Sequence, residues 1–225
     1  MRRAPFPLVT RKDGGRRVGV CIVIAALYDG EERAFLTPSQ GDLLICADRG
    51  CERALRHGMR PDLVIGDFDS SAPESAAGLP VVTLPRLKDD TDTAVCVAEG
   101  RRRGYRAFRV GGGLGGRLDH AAANLQLSAD CALRGETLWL CDARNRVTVL
   151  APGEYVLPRM AGRYLSLLAF SETAGGVNLA GTRWPLSGAV LSSRVPLGVS
   201  NEWTSDEARL SFSDGLLTVF FSADA

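Results

Sequence analysis

Two aspartates straddle a phenylalanine in Gly66-Asp67-Phe68-Asp69-Ser70, directly after the short β-branched run Leu63-Val64-Ile65. In extended chain, residues two apart point the same way, so Asp67 and Asp69 converge while Phe68 turns inward. Converging carboxylates repel unless a cation lies between them. Oxygen-only ligands of this kind suit magnesium, which takes one or two carboxylates, several waters and the phosphates of a substrate. Gly-Asp and Asp-Ser are also ordinary turn formers, so the pair needs company before it means a metal site. Company follows in Leu87-Lys88-Asp89-Asp90-Thr91-Asp92. Asp89 or Asp90 is a natural N-cap there, and acid in a first turn suits the helix dipole. Lys88 exceeds what a cap requires. It can hold a phosphate oxygen as a point charge, while Asp89 and Asp92, three apart on one turn, add to the acidic rim of the metal.

The third stretch is Gly111-Gly112-Gly113-Leu114-Gly115-Gly116-Arg117-Leu118-Asp119-His120. Glycines at this density let the backbone approach a ligand and turn several N–H groups inward as an anion nest. Residues 118–133 have helical composition, so the nest falls at a helix N-terminus, where phosphates bind. No Gly-Lys-Ser/Thr follows, so this is not a Walker loop. His120 is a base by type, but beside such a nest it serves equally as a hydrogen-bonding group. His57, ahead of Gly58, reads as a surface helix end.

These groups need a scaffold, and the 225 residues, 45% hydrophobic and 24% charged, suffice for two modest cores. A net charge of +1 gives no field to attract nucleic acid or an anionic membrane, so specificity must be local. Six cysteines form no Cys-x-x-Cys pair and sit in apolar runs, as small buried hydrophobes of a reducing, cytoplasmic setting do. With two histidines besides, a zinc site is not expected. Residues 1–17 form a basic tail, and the apolar run after it is far too short to span a membrane.

Short apolar strands at 20–27, 43–47, 63–65, 81–84, 107–110 and 137–141 alternate with helical stretches at 31–36, 50–57, 89–104 and 118–133. The last-but-one helix carries Ala94, Val95, Val97 and Ala98 as its apolar positions. Such alternation predicts an α/β fold: a three-layer α/β/α domain over 18–145 with a mostly parallel sheet. In these sheets ligands lie beyond the carboxyl ends of the strands, the edge that holds Asp48, Asp67 and the glycine run. From residue 146 only short strand-like pieces separated by Pro, Gly and Ser remain, which predicts an all-β sandwich over 146–225. Its last two pieces are expected to pair as a hairpin across Ser213-Asp214-Gly215.

Five stretches in order resemble the thiamine pyrophosphokinase family: Ala47-Asp48-Arg49-Gly50; Gly66 to Ser70; Lys88 to Asp92; Gly113-x-Gly115-Gly116-Arg117-x-Asp119-His120 with Asn124; and Gly198-Val199-Ser200-Asn201-Glu202-Trp203. Each alone is weak; together, over nearly the whole chain from Val20, they are specific. The resemblance implies transfer of a diphosphoryl group from ATP to the hydroxyl of thiamine, with Mg2+, giving thiamine diphosphate and AMP. It also implies a homodimer whose active site lies at the subunit interface. On the matching positions, Asp67, Asp69 and Asp92 would hold the metal. Lys88, Thr91, Gly113, Gly115, Gly116, Arg117, Asp119 and Asn124 would surround the nucleotide, and Asp48 or Asp89 would orient the hydroxyl or take its proton. Thiamine is a cation with two aromatic rings, so its pocket needs an aromatic face and acceptors. Trp203 beside Ser200, Asn201 and Glu202 supplies both, and Trp184 is the second candidate; Trp139, inside a strand, reads as core. One departure stands out: the family has Asp-Gly-Gly where this chain has Asp48-Arg49-Gly50, so Arg49 either meets a backbone demand of its own or adds a phosphate contact. The rivals are pyrophosphoryl transfer to another alcohol, such as a pterin, a magnesium-dependent phosphohydrolase, and a binding module without turnover.

Overall fold

The computed structural model describes residues 10–11, 19–30, 32–66, 78–83 and 90–224. Two compact units divide at Arg144, and the N-terminal strand β1 (Thr10–Arg11) joins the second of them by pairing with Val156 and Tyr155. Part of the basic tail is therefore a strand.

In the first unit, runs of apolar residues without alternation make strands that need cover on both faces, which a parallel sheet between helices provides. The strands are β2 (Cys21–Ile24), β3 (Leu43–Ala47), β4 (Leu63–Gly66), β5 (Val81–Thr83), β6 (Ala107–Gly111) and β7 (Thr137–Cys141). β2, β3 and β4 are buried throughout. The order is β7-β6-β2-β3-β4-β5, and every neighbouring pair is parallel. The helices are α1 (Arg33–Leu36), α2 (Gly50–Arg56), α3 (Asp92–Arg102) and α4 (Leu118–Leu133). Right-handed crossovers put α1 and α2 on one face and α3 and α4 on the other, giving three layers. The chain winds from β2 out to β5, then returns to the far side of β2 as β6. The order therefore reverses between β2 and β6.

The cap of α3 differs from expectation. Thr91, with extended backbone, accepts from Ala94 N at 3.2 Å, and neither Asp89 nor Asp90 is the cap. Of the apolar positions named, only Val97 is buried; the inward face is Thr93, Cys96, Val97 and Gly100, the spacing of one helical stripe. Gly100 is required there, because a Cβ would fall 2.6 Å from Cys21 Sγ.

The second unit is a sandwich. One sheet runs β1-β9-β14-β11-β12, with β9 (Gly153–Pro158), β11 (Thr173–Ala180), β12 (Leu186–Ser192) and β14 (Glu207–Phe212). The other contains β13 (Gly198–Asn201), β10 (Tyr164–Ala169), β15 (Leu217–Ser222) and β8 (Asn145–Leu150), in that order and antiparallel. The expected hairpin is not formed: β14 pairs with β9 and β11, whereas β15 pairs with β10 and β8. The link between them crosses from one sheet to the other because its polar groups bond elsewhere. Ser213 N donates to Gly175 O, Gly175 N to Asp214 O, and Leu216 N to Ser171 Oγ. All six cysteines are free and buried, and burial pushes the Cys21 and Cys131 thiols up to about 12. Among the described residues no helix is long and apolar enough to cross a membrane.

Candidate active site

The strand registers bring several tips to one level. Ile24 stands opposite Cys46 and Gly111, Ala47 opposite Ile65, and Gly111 opposite Cys141. Asp48 leaves the end of β3 with its N–H donating to Ile65 O at 2.9 Å and a left-handed φ of 46°. Gly66 makes room for its carboxylate, and Gly50 for the end of β2. A Cβ on Gly66 would collide with Asp48 Oδ1, and one on Gly50 would collide with Ile24 O. Arg49 needs no special backbone angle, since φ −55° and ψ −15° suit any residue as it caps α2. The unusual angle in this turn belongs to Asp48.

α3 follows β5, so its N-terminus lies at the same carboxyl edge, and the helix packs over β2, β3 and β4. Half-buried Asp92 stands in its first turn, where the dipole favours a carboxylate. Asp67, Asp69, Lys88 and Asp89 lie outside the described residues. Among the described residues no three His, Cys, Asp or Glu side chains gather as a metal site, and Asp92 is the one expected ligand among them.

After β6 the glycine run turns at the point where strand order reverses. Gly112, Gly115 and Gly116 take left-handed φ values of 74°, 84° and 63°. A Cβ on Gly112 would meet Tyr28 N, and one on Gly116 would lie 2.7 Å from Leu27 Cδ1, so the loop after β2 closes against the run. Asn124, buried in α4, donates to Gly113 O at 2.7 Å and fixes the loop from below. Its amide positions the loop. Arg117 donates through Nε to Asp119 Oδ1 at 3.1 Å, and that guanidinium, helped by the His120 N–H, pulls the Asp119 carboxyl down to about 2. Both side chains are exposed. His57 is the C-cap of α2, the helix end expected, but it is half-buried, with its ring edge-on to Tyr28 at 5.5 Å.

In the second unit the five residues expected around thiamine divide. Asn201 uses its whole side chain on the protein: Nδ2 donates to Trp184 O at 2.7 Å and Thr182 Oγ1 at 3.2 Å, while Oδ1 accepts from Trp184 N and Glu202 N. It clamps Trp184, which is 51% exposed and lines a small apolar hollow with Leu186, Leu197 and Val199. Ser200 takes a left-handed φ of 59°, its N–H donating to Ser166 Oγ. Trp203 turns the other way. Its ring stacks on Phe221 at 5.8 Å, its Nε1 donates to Arg163 O at 3.1 Å, and with Glu202 it lines a separate polar cleft. Ser166, Thr182 and Arg183 were not singled out from the sequence, since their contacts run across strands with no local signal.

The model of the thiamin pyrophosphokinase catalytic domain matches residues 37–140, and that of the thiamin pyrophosphokinase vitamin B1 binding domain matches 154–217. The chain belongs to the thiamine pyrophosphokinase family. A relative called thiamine pyrophosphokinase, from Bacillus subtilis, is 29% identical over 188 residues, 81% of this chain and 88% of its own. The solved thiamine pyrophosphokinase structure from Bacillus subtilis superposes with a TM-score of 0.82 at 26% identity, covering 92% of this chain and 99% of that one. The solved structure from Geobacillus thermodenitrificans gives 0.82 at 28% identity, covering 92% and 98%. In thiamine pyrophosphokinase terms, the catalytic match holds Asp48, Asp92 and the glycine run, and the vitamin B1 binding match holds Trp184 and Asn201.

Proposed function

We propose that the protein transfers a diphosphoryl group from ATP to the hydroxyl of thiamine, releasing AMP, by attack on the β-phosphorus. The glycine run at the head of α4, at the point where strand order reverses, supports this most, since left-handed glycines there turn N–H groups toward a polyphosphate. Such transfer is mainly positioning and charge neutralisation. The backbone of residues 113–116 cradles the phosphates, Lys88 and Arg117 clamp them, and Thr91, Asp119 and Asn124 shape the loop ends. Asp48 or Asp89 orients the hydroxyl or takes its proton.

The donor set fits magnesium in kind: Asp67 and Asp69 follow Gly66 in the sequence, and Asp92 opens α3 at the carboxyl edge of the sheet. Bound there, the ion would neutralise developing charge on the phosphates. Trp184 offers thiamine its aromatic face, with Ser200, Asn201 and Glu202 fixing that end of the sandwich. The active unit is a cytoplasmic homodimer with the site shared between subunits. Exposed Leu197 and Val199 beside Trp184, with Val190 and Val195 also exposed in this unit, support it, since so much apolar surface favours a covering partner.

Incubating the protein with ATP, magnesium and either thiamine or a hydroxymethylpterin tests the acceptor. Thiamine diphosphate is the expected product; turnover of the pterin alone overturns the reading.

A further inference from the structure

A cation already lies over the exposed aromatic face of the second unit. Arg183 Cζ stands 5.0 Å from the centroid of the Trp184 ring. Its Nη1 donates to both Glu202 oxygens, at 3.2 and 3.1 Å. The backbone keeps these three residues together, since Arg183 N donates to Glu202 O at 2.9 Å and Asn201 holds Trp184 at both its N–H and its carbonyl. The side chains of Arg183 and Glu202 are 60% and 45% exposed. An ion pair so open to water adds little to stability. Trp184 is anchored without it. What the pair does set is the charge beside the ring.

We infer that Arg183 is a charge selector at the thiamine end of the site, weakening binding of the cationic substrate and strengthening binding of the anionic product, with Glu202 setting the balance. The inference rests on the reading of Trp184 as thiamine's aromatic face. Thiamine carries one fixed positive charge on its thiazolium ring. Its diphosphate keeps that charge and adds a larger negative one. With the thiazolium end of the molecule toward Trp184, both charges stand on the guanidinium's side of the ring, and charges are screened over about 8 Å at physiological salt. Arg183 therefore acts on the two molecules with opposite sign. At the separations and dielectric of an exposed site, one unit charge alters affinity by about threefold. A protein built this way holds its product better than its neutralised counterpart would, so turnover slows as product accumulates.

Isothermal titration of the full-length protein with thiamine, and separately with thiamine diphosphate, tests this. Arg183→Gln is expected to bind thiamine about threefold more tightly and thiamine diphosphate at least about threefold more weakly. Glu202→Gln is expected to shift both the other way, and Arg183→Lys to keep the wild-type ratio. At about 0.5 M salt the differences should shrink, as a packing defect would not. An unchanged ratio in Arg183→Gln, or two shifts of the same sign, overturns the inference while leaving the thiamine reading intact. Wild-type protein that binds neither molecule overturns both.

Discussion

The Asp48 carboxylate lies where a Cβ on Gly66 would fall. Gly66→Ala should therefore displace the Asp48 carboxylate and lower kcat at least about tenfold, with a folded circular dichroism spectrum; unchanged turnover would remove Asp48 from the chemistry. At the other end, Trp184→Ala should weaken thiamine binding by about 1 to 3 kcal/mol in a titration, whereas Trp203→Phe, which keeps the stack on Phe221, should change it little. The sequence marked Trp203 first, by its Ser200-Asn201-Glu202 neighbours, and Trp184 second. Which one faces solvent depends on Phe221 and Asn201, which meet Trp203 and Trp184 across strands. Arg49 illustrates the same limit: the departure from the family's glycine was legible, but not that the left-handed angle sits one residue earlier.

Among the elements, the parallel strands and α4 were plain in the sequence because uninterrupted apolar runs and a long helical stretch leave few alternatives. β11 was not, since Gly175-Gly176 looks like a turn and serves as an irregularity within a strand. The missing hairpin has a similar cause: the link 213–215 has turn residues, yet its partners lie on Gly175 and Ser171. At the head of α3, Thr91→Ala should cost about 1 kcal/mol in a urea titration, since Ala94 N loses its acceptor. At its far end, hydrogen bonds from Arg102 and then Arg103 draw the Glu99 carboxyl from 4.5 down to about 2. A depressed carboxyl stabilises the fold above its unfolded value and loses that contribution as pH falls through its folded one. The urea midpoints of wild type and Glu99→Gln should thus differ above pH 4.5 and converge toward pH 2; a gap that persists at the acid end would contradict this.

For the whole molecule, the proposed sharing of the site between subunits makes a demand that one chain alone would not. Neither Asp69→Asn nor Trp184→Ala should turn over well by itself. Refolded together, half of the dimers are mixed, and each mixed dimer has one intact site, so about a quarter of wild-type activity should return. No recovery would place the whole site within one chain. The most direct measurement is the nucleotide released when the protein is incubated with thiamine, ATP and magnesium. One AMP is expected for each thiamine diphosphate formed; ADP, or inorganic phosphate without thiamine diphosphate, would contradict diphosphoryl transfer.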